Sequence, residues 1–487
     1  LIPSVSITKS DGNTGVVKPS PDGNLAIIGT SQKGSFNVPS SFTRQIDAYG
    51  TFGEGNLVEA AAYDMAVAQK PVVLIRGNPS TAAAYGTVTN TGPGTATPAA
   101  DTSVHPYDDA DILITFVAGG ALGTAGITYT YSRDGGFTTS GVQALGTALT
   151  LLVPNTNAQF TLGTSTQTIL AGQTIACSVT GPKMTNSDLL VSLEALRTYG
   201  GAWDAILYIG GDADATTVSD LDTWLAAREA EGKYRTALCN TVKRDPSTQT
   251  EAQYATAMAT AASGMSSIRV VVGADGEYLT SLLSGVRLTR YVATVVAARG
   301  MAVDIARDVA FVADGALPGV QIADDQSNPK FHDEALFPGL DDLRLTTLRS
   351  FPGRAGVYVN NALLISPSGS DYVYWQHARV MNEACEIAFQ LLSGRLSQGI
   401  NKDVATGFIA EEDAAEIEGL VNAQFGSQLV TPRRCSGAKF VLSRNDNLTS
   451  NQGATLTGQI QVSRLAYVKK FAVTSKFVKT IAVTAGS

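Results

Sequence analysis

Histidine and cysteine are scarce in this 487-residue chain, three and four respectively, and their scarcity removes whole classes of chemistry. His105, His332 and His377 are too few for a His-rich metal site and leave little for a hydrolase triad. His377, inside a long helical pattern, reads as a packing or surface histidine. Cys177, Cys239, Cys385 and Cys435 lie far apart with no CxxC pair, the pattern of reduced core thiols in a protein made in a cytoplasm. No apolar run approaches the length that spans a bilayer, and residues 1–18 have no signal-peptide core, so no membrane insertion is expected. Glycine loops for phosphate are missing too: Gly29 to Gly34 has the wrong spacing for GxGxxG, and neither GxxxxGK[ST] nor GxSxG occurs.

Acid is absent from the last forty-one residues. Residues 447–487 contain no Asp or Glu but carry Arg464, Lys469, Lys470, Lys476 and Lys479, so the formal charge of −8 becomes −13 once these five cations are set aside. A basic tail on an acidic body suits contact between subunits at least as well as nucleic acid. Direct nucleic-acid binding would need a denser basic face with aromatic support, and the sequence has none. From Leu465 one parity of the tail is apolar (Leu465, Tyr467, Phe471, Val473, Phe477, Ile481, Val483), interrupted by Lys469, Ser475 and Lys479, while the other carries Lys470 and Lys476. That is strand periodicity over far more than the usual strand of about five or six residues, so two strand pieces hinged near residues 474–476 are expected. Such a terminus closes its own sheet or adds to a neighbour's.

What is present is a packed globular chain, 44% hydrophobic and 16% charged, long enough for two to four domains. Residues 1–20 read as an extended arm, with Val5 and Ile7 alternating, followed by a Gly/Pro/Asp linker. Strands are expected at 25–29 and 72–76 around a helix at 56–70, with Asn56 as cap and Glu59 three residues on. Residues 78–182 are dominated by Thr, Gly, Ala, Ser and Asn, with strand runs at 112–117, 127–132, 148–153 and 174–179, an all-β sandwich inserted into another domain. From 187 helices and strands alternate: a helix capped by Ser187, a strand at 205–209, a helix from Ser219, strands at 234–239 and 268–273, and a helix at 251–262. Residues 21–77 with 183–352 thus form an α/β domain. Residues 353–462 form an α+β domain with a strand at 356–359, a helix at 371–392 capped by Ser370, an acidic helix at 411–425 and a strand at 438–444; 463–487 form the arm. The fold class is multidomain α/β and α+β: a central mixed or parallel sheet with crossover helices, an all-β sandwich insertion, and a C-terminal α+β domain with extended arms at both ends.

Two blocks resemble the contractile tail sheath proteins of bacteriophages, related to the sheaths of contractile bacteriocins and type VI secretion machines. One runs Leu25-Ala26-Ile27-Ile28-Gly29-Thr30, Gly34, Pro39, Tyr49-Gly50-Thr51-Phe52-Gly53 and on to Arg76. The other is Arg354 to Asn360, Ser370-Asp371-Tyr372, the acidic helix and the alternating tail. The resemblance implies a structural subunit, not an enzyme, without cofactors: stacked hexameric rings around an inner tube protein, neighbours linked by terminal arms, and contraction by rigid-body rotation. Its implied partners are copies of itself, the tube, baseplate and tail terminator proteins; its implied location is the virion tail, assembled in the bacterial host cytoplasm. Arm residues would be Val5 and Ile7 at one end and Leu465, Tyr467, Lys469, Lys470, Phe471, Val473, Lys476, Phe477, Lys479, Ile481 and Val483 at the other. The helix bearing Glu411, Glu412, Glu416 and Glu418 is a candidate to face the tube. The segment with Asp304, Asp308 and Asp314 follows no sheath pattern.

Two other readings compete. The strand 206–209 leads into Asp212-x-Asp214-x-Thr216, similar to haloacid-dehalogenase-like phosphatases, with Asp324 and Asp325 as further magnesium ligands; but two glycines intervene where that family's aspartate follows its strand directly. The Thr/Gly-rich insertion suggests a surface adhesin, against which stands the α/β centre.

Overall fold

The computed structural model describes residues 23–323, 330–449, 455–470 and 472. Its eight α-helices among these residues are α1 (Gln45–Phe52), α2 (Asn56–Val67), α3 (Asn186–Thr198), α4 (Ala215–Glu229), α5 (Glu251–Ala262), α6 (Val292–Ala302), α7 (Trp375–Ser393) and α8 (Glu411–Phe425).

The central sheet is mixed. Its strands run Val270–Gly273, Thr236–Asn240, Ala205–Tyr208, Leu25–Gly29, Val72–Arg76, all parallel, ended by the antiparallel strand Ser40–Phe42. Near-continuous apolar runs such as LAIIG and VVLIR form these strands because both faces are covered. Leu25, Ile27, Val72, Leu74 and Leu207 pack with α2 and α6. Ala26, Ile28, Val73, Ile75, Ile206 and Tyr208 pack with α3, α4 and α5 on the other face. The period of two along each strand divides one sheet between two cores.

Between Val72–Arg76 and α3 lies the all-β unit. A sheet built on Ala110–Ala118, Thr128–Ser132 and Thr174–Thr180 shares a core with a three-stranded sheet containing Thr150–Val153 and Ala158–Thr161; Ile114, Phe116, Val153, Phe160 and Ile175 are its centre. Beyond the α/β strands come the hairpin Gly276–Thr280/Arg287–Tyr291 and the hairpin Leu348–Phe351/Arg354–Val359. The C-terminal unit packs α7 and α8 against the antiparallel pair Gly437–Leu442/Gly458–Ser463 through Ala384, Ile387, Val421, Phe425, Phe440 and Leu442.

Several local expectations need correcting. Asn56 does not cap α2: the cap is Gly55, at φ +133°, where a Cβ would meet the Thr30 carbonyl at 2.8 Å. The Asn56 side chain instead accepts from Thr30 N (3.0 Å) and donates to Ile209 O (2.8 Å), tying two neighbouring strand ends together. α3 is capped by Thr185 in a reciprocal box with Asp188, not by Ser187, and α4 starts at Ala215 on the Asp214 cap, not at Ser219. α7 begins at Trp375, not 371, because Tyr374 is held extended by its bridge to Leu363 and Trp375 N donates to Ala362 O. Helix α1 was not expected; only Ala48 and Phe52 of it are buried, too weak an apolar stripe to read. In the tail, residues 464–470 carry no strand; the strand falls earlier, at Gly458–Ser463.

Candidate assembly surfaces

In the C-terminal strand pair, Ser443 N donates to Thr457 O, so the alternating pattern turns the N–H and C=O groups of Phe440 and Leu442 away from the partner strand. Helix α8 takes them. Asn422 Oδ1 accepts from Phe440 N (2.7 Å) and Asn422 Nδ2 donates to Phe440 O (3.1 Å), one side chain standing in for a neighbouring strand. Glu418 Oε1 accepts from Leu442 N at 2.7 Å. One edge of the pair is thereby closed. By the same alternation Gly458, Ile460 and Val462 present their backbone groups on the opposite edge, where no further strand pairs with them among the described residues.

The tail leaves that open strand and lies on its own body. Arg464 donates to Asp371 O (2.7 Å), His377 Nε2 meets Leu465 O (3.2 Å), and Tyr467 donates to Ala306 O while its ring stands 5.3 Å from that of His377. Lys469 pairs with Asp308 and donates to Asn361 Oδ1 at 2.7 Å. Asp308, which followed no sheath pattern, is thus the counter-ion of the first tail lysine. Lys470 is exposed. Val5, Ile7, Phe471, Val473, Lys476, Phe477, Lys479, Ile481 and Val483 lie outside the described residues.

The acidic helix is partly spoken for. Arg444 clamps Glu411 (2.8 Å) and Glu418 (2.6 Å), holding both carboxylates below their ordinary range, and Arg395 pairs with Glu416 at 2.9 Å. Glu412 remains on the exposed face.

A second charged region joins the sandwich to the body. Arg290 grips Asp108 with both terminal nitrogens (2.5 and 3.2 Å), and Lys243 meets Asp109 at 2.5 Å, whose other oxygen accepts from Gly181 N at 2.8 Å. Burial raises the Asp109 carboxyl, yet the Lys243 pair overrides it and brings it to about 2. Nearby, burial pushes Glu59 up to about 7 against the pull of Arg290 and Ser281. Arg287 N donates to Asp134 Oδ2 (3.2 Å), and its guanidinium lies 3.9 Å from the centre of the Phe137 ring. Sequence reasoning missed this seam. Its signal was the Asp108–Asp109 pair, set in an insertion that has Arg133 as its only Lys or Arg and lacks glutamate.

The carboxylates of the phosphatase reading are employed internally. Asp212 pairs with Lys183 (2.5 Å) and accepts from Tyr291 Oη (2.7 Å), while Asp214 caps α4 by accepting from Thr217 N at 2.8 Å. Asp324 and Asp325 lie outside the described residues. Cys177, Cys239 and Cys435 are buried and all four thiols are free; His377 is half-buried against the tail. Among the described residues no group of three or more His, Cys, Asp or Glu is placed to hold a metal ion.

A chain in the six-fold symmetrised structure of the anti-feeding prophage baseplate aligns with TM-score 0.50 and 11% identity over 99% of this chain and 99% of that one, which establishes a shared fold. A chain of the anti-feeding prophage helical sheath in its contracted state aligns at 0.49 with 12% identity over 99% of both chains. The sheath tail protein of Listeria innocua aligns at 0.46 with 14% identity, over 91% of this chain and 96% of that one. No curated protein matches. Residues 2–363 match the family described as DUF2586, N-terminal domain. The chain therefore belongs to the DUF2586 family, with the fold of a chain from the anti-feeding prophage baseplate.

Proposed function

We propose that this chain is a structural subunit of a contractile tail sheath, stacking as hexameric rings around an inner tube. The observation that carries the reading is the asymmetry of the C-terminal strand pair, with one edge closed by Asn422 and Glu418 and the other open along Gly458, Ile460 and Val462. An open edge on a two-stranded sheet invites an added strand, and the alternating basic tail of residues 465–487 has the sequence of one. The tail clasped at Lys469 fixes where it departs; beyond Lys470 it reaches a neighbouring copy, as the 1–20 arm does from the other end. Main-chain pairing holds neighbours while the bodies rotate during contraction, which exchanges one set of body contacts for another. Such head-to-tail links build helical arrays. In this reading the exposed face of α8 at Glu412 turns toward the tube, the baseplate and tail terminator proteins cap the polymer, and the assembly forms in the host cytoplasm before joining the virion tail.

Negative-stain electron microscopy of the purified chain tests this. Hollow tubes with six-fold end views are expected; uniform small particles overturn it. Two variants localise the link. Truncation after Lys470 leaves a folded body that no longer polymerises. Val462→Pro, which deletes an outward N–H, blocks polymerisation with little change in melting temperature.

A further inference from the structure

The central sheet reverses its order between Leu25–Gly29 and Ala205–Tyr208. The chain leaves the first strand through α2 on one face to reach Val72–Arg76, then returns through α3 on the opposite face to Ala205–Tyr208. In open α/β sheets the crevice at the carboxyl ends of the strands flanking such a reversal is where ligands bind. Here that crevice is bounded by Thr30, Asn56, Ile209 and Gly210, with Lys243 and Arg290 supplying positive charge. It is already filled. Asp108 and Asp109 of the β-sandwich enter it, and the remaining space is about 20 Å³, room for about one water.

We propose that this crevice is a carboxylate-binding site whose ligand is the chain's own Asp108–Asp109 pair, and that this internal docking couples the sandwich rigidly to the α/β body. Apart from that docking, the sandwich is joined to the body at its two chain passages, near Gly77 and Gly181, where Ser80 donates to Asp188 and Thr81 pairs with Lys183; ties this close to the crossing points hold the near end and leave the rest of the unit to the crevice contacts. Arg290 takes Asp108 in the two-pronged geometry specific to guanidinium and carboxylate, and Lys243 takes Asp109 as a point charge. The Asp134 and Phe137 contacts with Arg287 add a second attachment on the same hairpin, so rotation about a single contact is blocked. The side chains of Arg290 and Lys243 are largely buried, so loss of the aspartates strands two cations in a site built for an anion.

The inference predicts rescue by a free anion, which a loss of ordinary packing would not give. Arg76 and Lys183 flank the sandwich and are trypsin sites. In the native chain both are expected to resist cleavage, as is Arg133, the one trypsin site inside the fragment, which is buried. In the Asp108→Ala/Asp109→Ala variant, release of fragment 77–183, followed by mass spectrometry, should accelerate by at least about tenfold as the docked pair is lost. Formate or acetate should restore resistance, and chloride at equal ionic strength should not. Native-like resistance in the variant overturns the coupling; cleavage that formate fails to slow overturns the carboxylate site. Should the double variant fail to fold, Asp109→Asn keeps the shape and loses the charge: faster cleavage is expected, and an unchanged rate overturns the proposal. The readout is the same whether the chain is a monomer or a tube, so it is independent of the sheath reading.

Discussion

The central sheet and the C-terminal strand pair solve the same problem, the unpaired strand edge, in opposite ways. The six-stranded sheet is finished within the chain: both faces carry helices, the Val270–Gly273 edge is bridged by Leu364 with Ile365 N donating to Val270 O, and the far edge ends in a strand of three residues. The C-terminal pair has two strands of six residues, one edge covered by side chains from α8 and the other left open. A sheet buried on both sides stabilises the subunit. A half-closed pair with a directed opening instead specifies where a partner strand goes, because a neighbour has one edge to choose.

The largest effect that would break this contrast is in the body. Leu207→Ala removes a side chain that is fully buried in the centre of the sheet and should cost about 2–5 kcal/mol, read by denaturant unfolding. On the open strand, Ile460→Thr removes a side chain only half-buried against the C-terminal core and should cost less, about 1 kcal/mol. A large loss at Ile460 would mean that the pair is part of the main stability core.

Acidity separates the two regions next. Burial pushes Asp64 and Glu59 up to about 7; burial lowers His332 but its bonds to Glu251 and Glu334 outweigh it and bring it to about 9. All three folded values exceed the unfolded ones, so these groups bind more protons in the folded chain than in the unfolded one. The carboxyls contribute most below about 4 and lose their contribution as pH rises through about 7; His332 contributes fully below about 6.5 and loses it through about 9. The body should therefore be more stable at pH 5.5 than at 8.5, and Glu59→Gln with Asp64→Asn should flatten that slope in a denaturant series. The strand pair has the opposite sign. Glu411 and Glu418 are held low by Arg444, so their contribution is present above the ordinary carboxylate range and fades as pH falls through their folded values. Hydrogen-exchange protection at residues 437–442, corrected for the pH dependence of intrinsic exchange, should fall in acid while that of the central strands holds.

Smaller still is Asn422→Ala, which uncovers the second edge at a cost of about 1–3 kcal/mol for the abandoned backbone groups. The truncated chain carrying it should self-associate, measured by light scattering. Arg444→Ala should cost least, about 1 kcal/mol or below at this half-exposed site, and appear mainly as faster exchange in the strand pair.

The five parallel strands of the central sheet were legible to within one or two residues because their apolar runs are bounded by glycine, proline or polar turns; the antiparallel edge strand Ser40–Phe42, three residues with no apolar run, was not. α5 and α8 fell at 251–262 and 411–425, as read. Helix starts were less legible: Asn56, Ser187, Ser219 and Ser370 all have capping chemistry, yet Gly55, Thr185, Asp214 and Tyr374 hold those positions. At α3 and α4 a local capping box, Thr185 with Asp188 and Asp214 with Thr217, chose the start; at α2 and α7 tertiary contacts did, holding Asn56 on Thr30 and Ile209, and Tyr374 on Leu363. In the tail, alternation at 465–470 mimics a strand, but Tyr467 and Lys469 answer to Ala306 and Asp308, some 160 positions away.

The sequence by itself determined the order of the units, the two-sided central sheet, the β-rich insertion and the acid-free basic tail, since periodicity and composition act over a few residues at a time. Only the tertiary structure decided which carboxylates meet which cations, that Asp108 and Asp109 fill the crevice of the sheet, and that one edge of the C-terminal pair is shut by Asn422. Those outcomes depend on groups far apart in the chain arriving in one place. Coulombic pairing and edge hydrogen bonding are decided by distance in space, to which local sequence is blind.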